Sequence, residues 1–435
     1  MKNKIKFATW SFAFVLFTNL YYFYLIDRIE VKLSGIEAKD IALGLAVLWG
    51  AFYWIRMIKL PNPRFRFRFW MLLFLAMVLL SSLQSYWLYG QSIFRGIAPQ
   101  RWVFIWALVY FPLRKCIYHN KIELKDIMRI LVVFGVIQLV LFTLQFFLGD
   151  GVLLLHVGRG IRNGRTRYYY NPIFLDFLLL LSLDGIVKGD RLRKILYGFL
   201  AGWVLFEVMM VQQFRATTCG LIVCLGLFMI IMIQQAKHKL VYCIIGCIAL
   251  IFLISTPVVQ SAVKQVVTNS FDAGMRIRSV GRQVYMQALK QHPVLGGGYP
   301  STYHEQAMQA VTGGNPAVYL VDNGVFALVY LYGGIGLVWI VTLWGKLIQN
   351  GNQIRKRSSE AAYFLFPLFC MVVLTNEIHW YWDYGFVFFA IFLCTEEKKM
   401  DMLDIKSELI YFNKWMSSAG SRLRKIYEKR NEIQN

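Results

Sequence analysis

The segments Arg276-Ile-Arg-Ser-Val-Gly-Arg-Gln-Val-Tyr285 and His292-Pro-Val-Leu-Gly-Gly-Gly-Tyr299 lie in the one long polar interruption of this chain. The interruption runs from Ser261 to Asn323, and apolar runs flank it on both sides. In a chain made mostly of apolar runs, a polar loop of this length is usually functional or disordered. Its aromatic residues, helix-like stretch and glycine turn argue against disorder, so we predict a functional loop between membrane segments.

The composition of the whole chain is that of a membrane protein. Of the 435 residues, 57% are hydrophobic and 16% are charged, whereas a soluble domain has roughly 25% charged residues. The formal net charge is +23, which in a soluble protein would suggest nucleic-acid binding. Here the positive residues lie in short loops between apolar runs, where the positive-inside rule accounts for them. We therefore predict no nucleic-acid partner.

The apolar runs predict the fold class. About twelve of them reach the roughly 20 residues that a spanning helix needs. They cover approximately residues 7–26, 40–58, 69–88, 101–118, 127–148, 172–187, 194–213, 216–235, 240–258, 319–345, 361–376 and 379–395. The predicted fold is therefore all-α, a polytopic integral membrane protein of about 12 transmembrane helices. A large extracytoplasmic loop, residues 259–318, separates spans 9 and 10.

Loop charge predicts the orientation of these spans. The loop from Arg56 to Arg68 has five basic residues and no acidic one, so by the positive-inside rule it is cytoplasmic, as are both termini. The first span has a basic start but no cleavage site of small residues, and we predict that it is retained. Residues 1–396 form the predicted transmembrane domain. Residues 397–435 form a basic cytoplasmic tail, either an amphipathic helix on the membrane or a solvated segment.

Arginine is also present in the loops predicted to face outward, against the topology rule. These arginines fall in three segments: Arg159, Arg162, Arg165 and Arg167; Arg215; and Arg276, Arg278 and Arg282. Guanidinium groups match phosphate oxygens and keep their charge at any physiological pH. We therefore predict that they bind an anion. For Arg215, snorkelling to the lipid headgroups is the alternative.

The order of residues within the long loop is more specific than its composition. Arg278 and Arg282 are four residues apart and would share one face of a helix, which Tyr285 continues towards the membrane domain. Pro293 and the run Gly296–Gly298 would end that helix and allow the backbone to approach a ligand closely. A solvated charged face followed by an ordinary glycine turn is the simpler interpretation.

Few outward-facing residues are candidates for a general base. Asp322 opens the span after the loop, either as a helix N-cap or as a base. His304 and Glu305 lie in the loop and are either solvated or functional. Glu377 and His379 begin the last span, either in an interfacial aromatic belt or in a sugar-binding rim.

Motifs of metal and nucleotide chemistry are absent from the sequence. It contains no Walker A, HExxH, GxSxG or EF-hand pattern, and no Asp-x-Asp in an outward-facing loop. The seven cysteines have no zinc-type spacing. We predict no metal and no cofactor.

The loop residues resemble the signature of the bacterial O-antigen ligase and polysaccharide polymerase superfamily, of the Wzy kind. The most specific match is Gly281-Arg282-x-x-Tyr285-x-x-Ala288-Leu289-x-x-x-Pro293-x-x-Gly296-x-Gly298. Arg215-Ala-Thr, Asn171-Pro172 and the stretch from Asp322-Asn323-Gly324 to Gly336 are similar to further features of the family. Its members have about twelve spans, a large external loop late in the chain and cytoplasmic termini. The resemblance thus covers nearly the whole chain.

The resemblance implies a metal-independent glycosyltransferase of the bacterial cytoplasmic membrane. Its donor would be a polyprenyl-diphosphate-linked oligosaccharide, with the lipid tail entering from the membrane lipid between helices. From the charges, we expect Arg215 and Arg282, with Arg278, to hold the diphosphate. Asp322 would accept the proton of the acceptor hydroxyl, with Glu305 and His304 as alternatives. The remaining candidates for substrate contact are Arg276, Arg165, Arg167, Tyr285, Gly296, Gly298, Glu377 and His379.

Three functions are compatible with these residues. The first is a polymerase that joins repeat units of O-antigen, capsule or exopolysaccharide, with a flippase and a chain-length regulator as partners. The second is a ligase that moves finished glycan to a lipid, protein or wall acceptor. Such ligases often have a histidine where this chain has Asp322, which favours the polymerase. The third is a transporter or flippase of lipid-linked glycan, in which the arginines only carry the anion.

Overall fold

The computed structural model of the chain describes residues 6–25, 38–162, 165–170, 172–235, 255, 260, 273–375 and 385–434. It is 80% helical, which confirms the predicted all-α class apart from one β-hairpin. The helices before the long loop are α1 (Phe7–Asn19), α2 (Ala38–Arg56), α3 (Arg68–Tyr89), α4 (Ile93–Ile97), α5 (Trp102–Tyr118), α6 (Leu124–Leu148), α7 (Ile173–Lys188), α8 (Arg191–Phe206) and α9 (Arg215–Gln235). The later helices are α10 (Ala273–Gln291), α11 (Glu305–Thr312), α12 (Gly324–Ser358), α13 (Ala362–Leu374) and α14 (Gly385–Gln434).

Short elements complete the secondary structure of the described residues. Strands β1 (Gly158–Arg162) and β2 (Arg165–Tyr169) form an antiparallel hairpin between α6 and α7. A π-helical segment, Glu207–Gln212, follows α8. The 3-10 turns are Tyr21–Tyr24, Ala98–Gln100, Gly149–Gly151 and Leu320–Asn323.

Several of the helices are of the membrane-spanning type. Within the described residues, five are long and apolar enough to cross a membrane by length and composition: Arg68–Tyr89, Leu124–Leu148, Arg191–Gln212, Arg215–Met232 and Leu320–Ser358. Helices α1 and α13 are apolar but shorter. Helices occupy every predicted span within the described residues; the ninth span, residues 240–258, lies outside them except for Ser255. The last predicted span is described from Gly385 onward.

Aromatic side chains fill the core where α3, α5, α12 and α14 meet. Phe74 and Trp339 are stacked with ring centroids 4.4 Å apart. Trp106 packs edge-on against Phe389 at 5.0 Å. All four side chains are buried. Interlocked aromatic pairs of this kind hold the helices in a fixed arrangement, which in turn fixes the positions of the loops at both ends.

The basic segments meet at one end of the bundle, which we call the basic end. Arg114 of α5 binds Glu397 of α14, and both side chains are fully buried. Glu360 pairs with Lys399 at 2.8 Å and with Lys188 at 3.4 Å. Because α14 runs through position 396 without a break, the first turns of the predicted tail pack on the bundle as part of the last helix.

The hairpin and the described part of the long loop lie at the opposite end, which we call the arginine end. Helices α6 and α8 both begin at basic segments, so the hairpin after α6 and Arg215 after α8 lie at their far ends. Helix α12 finishes at Ser358, whose carbonyl accepts a hydrogen bond of 2.7 Å from Lys188 at the basic end. Its first residue, Gly324, therefore lies at the arginine end, next to α10.

Candidate functional site

Helix α10 confirms the helix-like stretch of the long loop and carries three of the predicted arginines, Arg276, Arg278 and Arg282. Tyr285 is fully buried, and its ring centroid lies 5.1 Å from that of Tyr330 in α12. Tyr285 thus fixes α10 to a membrane-type helix. Gly281 lies against the start of α12, because a Cβ there would lie 2.9 Å from Nδ2 of the Asn323 side chain.

The predicted base lies beside one of these arginines. Nη2 of Arg278 is 3.9 Å from Oδ1 of Asp322, and the two side chains are 38% and 42% exposed. Asp322 lies in a 3-10 turn, while Asn323 occupies the N-cap position of α12. The guanidinium of Arg282 lies 5.3 Å from the centroid of the Phe326 ring. We call Arg278, Arg282, Tyr285, Asp322 and Phe326 the loop cluster.

The turn after α10 fills a break in α12. At Gly333 the backbone leaves the helical region, with φ of 61° and ψ of −152°. In an unbroken helix the N–H of Gly334 would donate to the carbonyl of Tyr330. Instead, Gly334 donates to the carbonyl of Pro293 at 2.8 Å, and Gly297 donates to that of Tyr330 at 2.7 Å. The turn therefore supplies both partners that the break removes, as buried backbone requires.

The glycines of this turn are required by the protein itself. A Cβ on Gly296 would lie 2.3 Å from the carbonyl oxygen of Tyr330, and one on Gly298 would lie 2.5 Å from Oγ of Ser85. Ser85 also donates to the carbonyl of Tyr299 at 2.8 Å. These contacts with α3 and α12 give Gly296 and Gly298 a packing role. Their predicted contact with a ligand stays a prediction.

A second group of polar residues surrounds the start of α9. Tyr169 of the hairpin lies over Gly160 of the facing strand, and its ring centroid is 6.2 Å from that of Phe214. The guanidinium of Arg167 lies 4.6 Å from the Tyr169 ring. Arg165 begins β2 and pairs in register with Arg162. The hairpin thus places Tyr169, with Arg167 against its ring, beside the residue that precedes Arg215.

The segment from Gln212 to Thr217 is suited to an anion. Arg215 is the first residue of α9, whose first turn has no acidic residue. The first N–H groups of a helix lack internal partners and carry the positive end of its dipole. Within the described part of the chain, both amide atoms of Gln212, the hydroxyl of Thr217 and Nε of Arg167 are buried without a hydrogen-bond partner. We call Arg167, Tyr169, Gln212, Arg215 and Thr217 the hairpin cluster.

Gln212 and Thr217 were not predicted from the sequence. The one feature of the sequence that points to them as site residues is their position close to Arg215, in Gln212-Gln-Phe-Arg-Ala-Thr217. The hairpin itself has a clearer signal, because an Asn-Gly pair such as Asn163-Gly164 is typical of a two-residue hairpin turn.

The other predicted contacts have local roles or lie outside the described residues. His304 precedes α11 and accepts the N–H of Ala307 at 3.4 Å, as an N-cap does. Glu305 is exposed and accepts from Gln309 at 3.1 Å, and Arg276 is exposed on α10. Glu377 and His379 lie outside the described residues.

Tyr285 provides a test of the loop cluster. Its hydroxyl is buried and has no hydrogen-bond partner among the described residues, and burial, with a contribution from Asp322, raises its pKa above the ordinary value. A buried unsatisfied polar group costs about 1–3 kcal/mol. We therefore expect Tyr285→Phe to leave the free energy of unfolding unchanged or to raise it by about 1 kcal/mol, measured by thermal unfolding in detergent.

Tyr330→Phe is the matched control for this substitution. The Tyr330 hydroxyl lies 3.3 Å from that of Tyr89, so its removal breaks a hydrogen bond and should cost about 1 kcal/mol. A lower stability for Tyr285→Phe than for Tyr330→Phe would contradict the described environment of Tyr285.

Comparison of the chain with known protein families and with curated proteins finds no match. The function is therefore inferred from the residues and contacts described above.

Proposed function

We propose that the protein is a polysaccharide polymerase, a metal-independent glycosyltransferase that joins polyprenyl-diphosphate-linked repeat units at the outer face of the bacterial cytoplasmic membrane. It would have about twelve spans, cytoplasmic termini and an external loop at residues 259–318. The observation that carries the proposal is the gathering of arginines at the end of the bundle opposite the basic loops. Arg215 starts α9 there, and Arg278 and Arg282 lie on α10.

The arginines would act on the leaving group. In the reaction, the bond between the sugar C1 and the diphosphate oxygen breaks, and its electron pair leaves with the diphosphate. Arg215 and Arg282, with help from Arg278, stabilise the negative charge that grows on the diphosphate oxygens. Fixed guanidinium groups thus do what a divalent cation does in other glycosyl transfers.

Asp322 would act on the acceptor. As the acceptor hydroxyl oxygen bonds to C1, its proton passes to the Asp322 carboxylate. Arg278, 3.9 Å away, holds this carboxylate beside the diphosphate site. Because the diphosphate is already a good leaving group, correct positioning of the two substrates contributes more than the strength of the base.

The hairpin cluster supports a phosphate-containing ligand. Buried polar groups without partners are unfavourable, so Gln212, Thr217 and Arg167 favour a ligand that supplies the missing partners. A diphosphate has oxygens for the Gln212 amide, the Thr217 hydroxyl and Nε–H of Arg167. The carbonyl oxygen of Gln212 is free to accept from a sugar hydroxyl.

Purified protein supplied with lipid-linked repeat units tests the proposal. We expect lipid-linked chains of several units to form without nucleotide sugar, and EDTA to leave the rate unchanged because arginine replaces the metal. A requirement for Mg²⁺ after chelation would contradict the metal-free mechanism. A ligase would transfer finished glycan to another acceptor without forming multimers, and a flippase would move the substrate across a vesicle without making a bond.

A further inference from the structure

A cavity of about 550 Å³ lies at the basic end, between the start of α1, the end of α2 and the loop after α5. Its lining includes four cationic residues and no carboxylate. The four cations are Lys6, Arg56, Lys59 and Lys121. They come from three separate segments of the chain, so folding brings these four positive charges together.

The surrounding acidic residues leave most of the charge in place. Glu123 lies outside the lining and pairs with Lys125 at 2.7 Å and with Lys6 at 3.1 Å, so Lys6 is partly neutralised. Arg56, Lys59 and Lys121 form no ion pair with a carboxylate of the described residues.

Helix α1 adds to the positive potential. Phe7 and Ala8, its first residues, line the cavity. The preceding residue, Lys6, provides no side-chain cap, and the first turn of α1 has no acidic residue. The positive end of the helix dipole therefore faces the cavity.

Apolar surface continues from the cavity along both helices. Phe7 on α1 and Ile55 on α2 are 73% and 67% exposed. Ile58, just beyond α2, and Trp10 and Phe14, further along α1, are also exposed. Large apolar side chains in this position are suited to contact with lipid chains.

We propose that this cavity binds the phosphate headgroup of an anionic phospholipid, whose acyl chains lie along the exposed faces of α1 and α2. Cations without matching carboxylates attract phosphate, and basic pockets between membrane helices bind anionic lipid headgroups. The apolar surface beside the cavity favours a lipid over free phosphate. By contacting Lys6, Arg56 and Lys121 together, the lipid would join α1, α2 and the loop after α5. This site is separate from the arginine end and does not depend on the proposed reaction.

Lipid binding to the delipidated protein in neutral detergent, measured by native mass spectrometry, tests the proposal. The probes are phosphatidylglycerol, phosphatidylcholine and inorganic phosphate. We expect phosphatidylglycerol to bind at least about tenfold more tightly than phosphatidylcholine, and inorganic phosphate not to displace it. Equal binding of the two lipids would overturn the proposal, and full displacement by inorganic phosphate would identify a free anion as the ligand instead.

A pair of triple variants separates the cavity from general surface charge. Arg56→Gln/Lys59→Gln/Lys121→Gln should lose the preference for phosphatidylglycerol. Arg191→Gln/Arg193→Gln/Lys194→Gln removes three exposed cations from the basic end and should keep it. Equal losses in both variants would show that the charge acts non-specifically. If the first variant does not fold, the single change Lys59→Gln should weaken phosphatidylglycerol binding, and unchanged binding would count against the site.

Discussion

Arg282→Ala and Arg215→Ala are each expected to lower the rate of chain growth by at least about 100-fold while the protein remains folded. Removing one charged donor from a developing anion typically costs about 10²–10³ in rate. Both side chains are half-buried, and the contact of Arg282 with the Phe326 ring contributes only about 0.5–1 kcal/mol. Because neither side chain is fully buried, we expect both variants to fold. The measurement is elongation of lipid-linked repeat units by the purified variants, with thermal unfolding as the check on folding.

Two further variants show whether the effect comes from the guanidinium at this place. Arg282→Lys keeps the charge but loses the planar fork, so we expect an intermediate rate, down about tenfold. Arg193→Ala removes an exposed arginine at the basic end and should leave the rate unchanged. Among the described residues, its one ion pair is with Asp190 of the same turn, at 3.6 Å. Undiminished elongation by both Arg282→Ala and Arg215→Ala would remove the arginine mechanism.

Gly296→Ala is expected to remove most of the folded protein. The new Cβ would lie 2.3 Å from the carbonyl oxygen of Tyr330 and 2.8 Å from the nitrogen of Gly333. These are backbone atoms, which cannot rotate away as a flexible side chain does. Gly296 also has φ of +68°, a conformation that costs alanine about 1 kcal/mol. With overpacking of about 1–3 kcal/mol, we expect a loss of at least about 2–4 kcal/mol.

Gly314→Ala is the matched control for this prediction. Gly314 also has a positive φ, +78°, but nothing lies within 4 Å of a Cβ there. It should therefore lose only the conformational part, about 1 kcal/mol. The yield of monodisperse protein and its unfolding temperature in detergent measure both variants. Equal losses would mean that the clash with α12 has no effect and that the turn does not fill the break in α12 as described.

The sequence predicted those parts of the fold that depend on local patterns. Long apolar runs predict helices because a spanning segment must satisfy its own backbone. The spacing of Arg278, Arg282 and Tyr285 predicts one face of α10, and Tyr285 packs on α12 through that face. The bundle also brings the predicted basic segments to one end, as the contacts of Lys188 and Lys399 with Glu360 show.

Features that depend on contacts between distant segments were not predicted. The break at Gly333 is stable because residues near position 295 supply its missing partners, and no local pattern in α12 reveals this. The continuation of α14 past position 396 depends on Arg114 of α5, which binds Glu397. Gln212 and Thr217 have no distinguishing pattern in the sequence; the fold buries their polar atoms without a hydrogen-bond partner among the residues that the structure describes. The same limit applies to the hairpin cluster, because the contact that joins the hairpin to the start of α9, between Tyr169 and Phe214, links residues about 45 positions apart.

The turn that fills α12 also limits how substrate can enter. If α10 were to swing outward as a lid, Gly297 would lose its bond to Tyr330, and Gly334 its bond to Pro293. In each case a backbone N–H in apolar surroundings would lose its hydrogen-bond acceptor, which makes such an opening unfavourable. The C-terminal end of α10, next to this turn, is therefore held in a fixed position. In the proposed polymerase, a bulky glycan would therefore have to enter without movement of this part of α10.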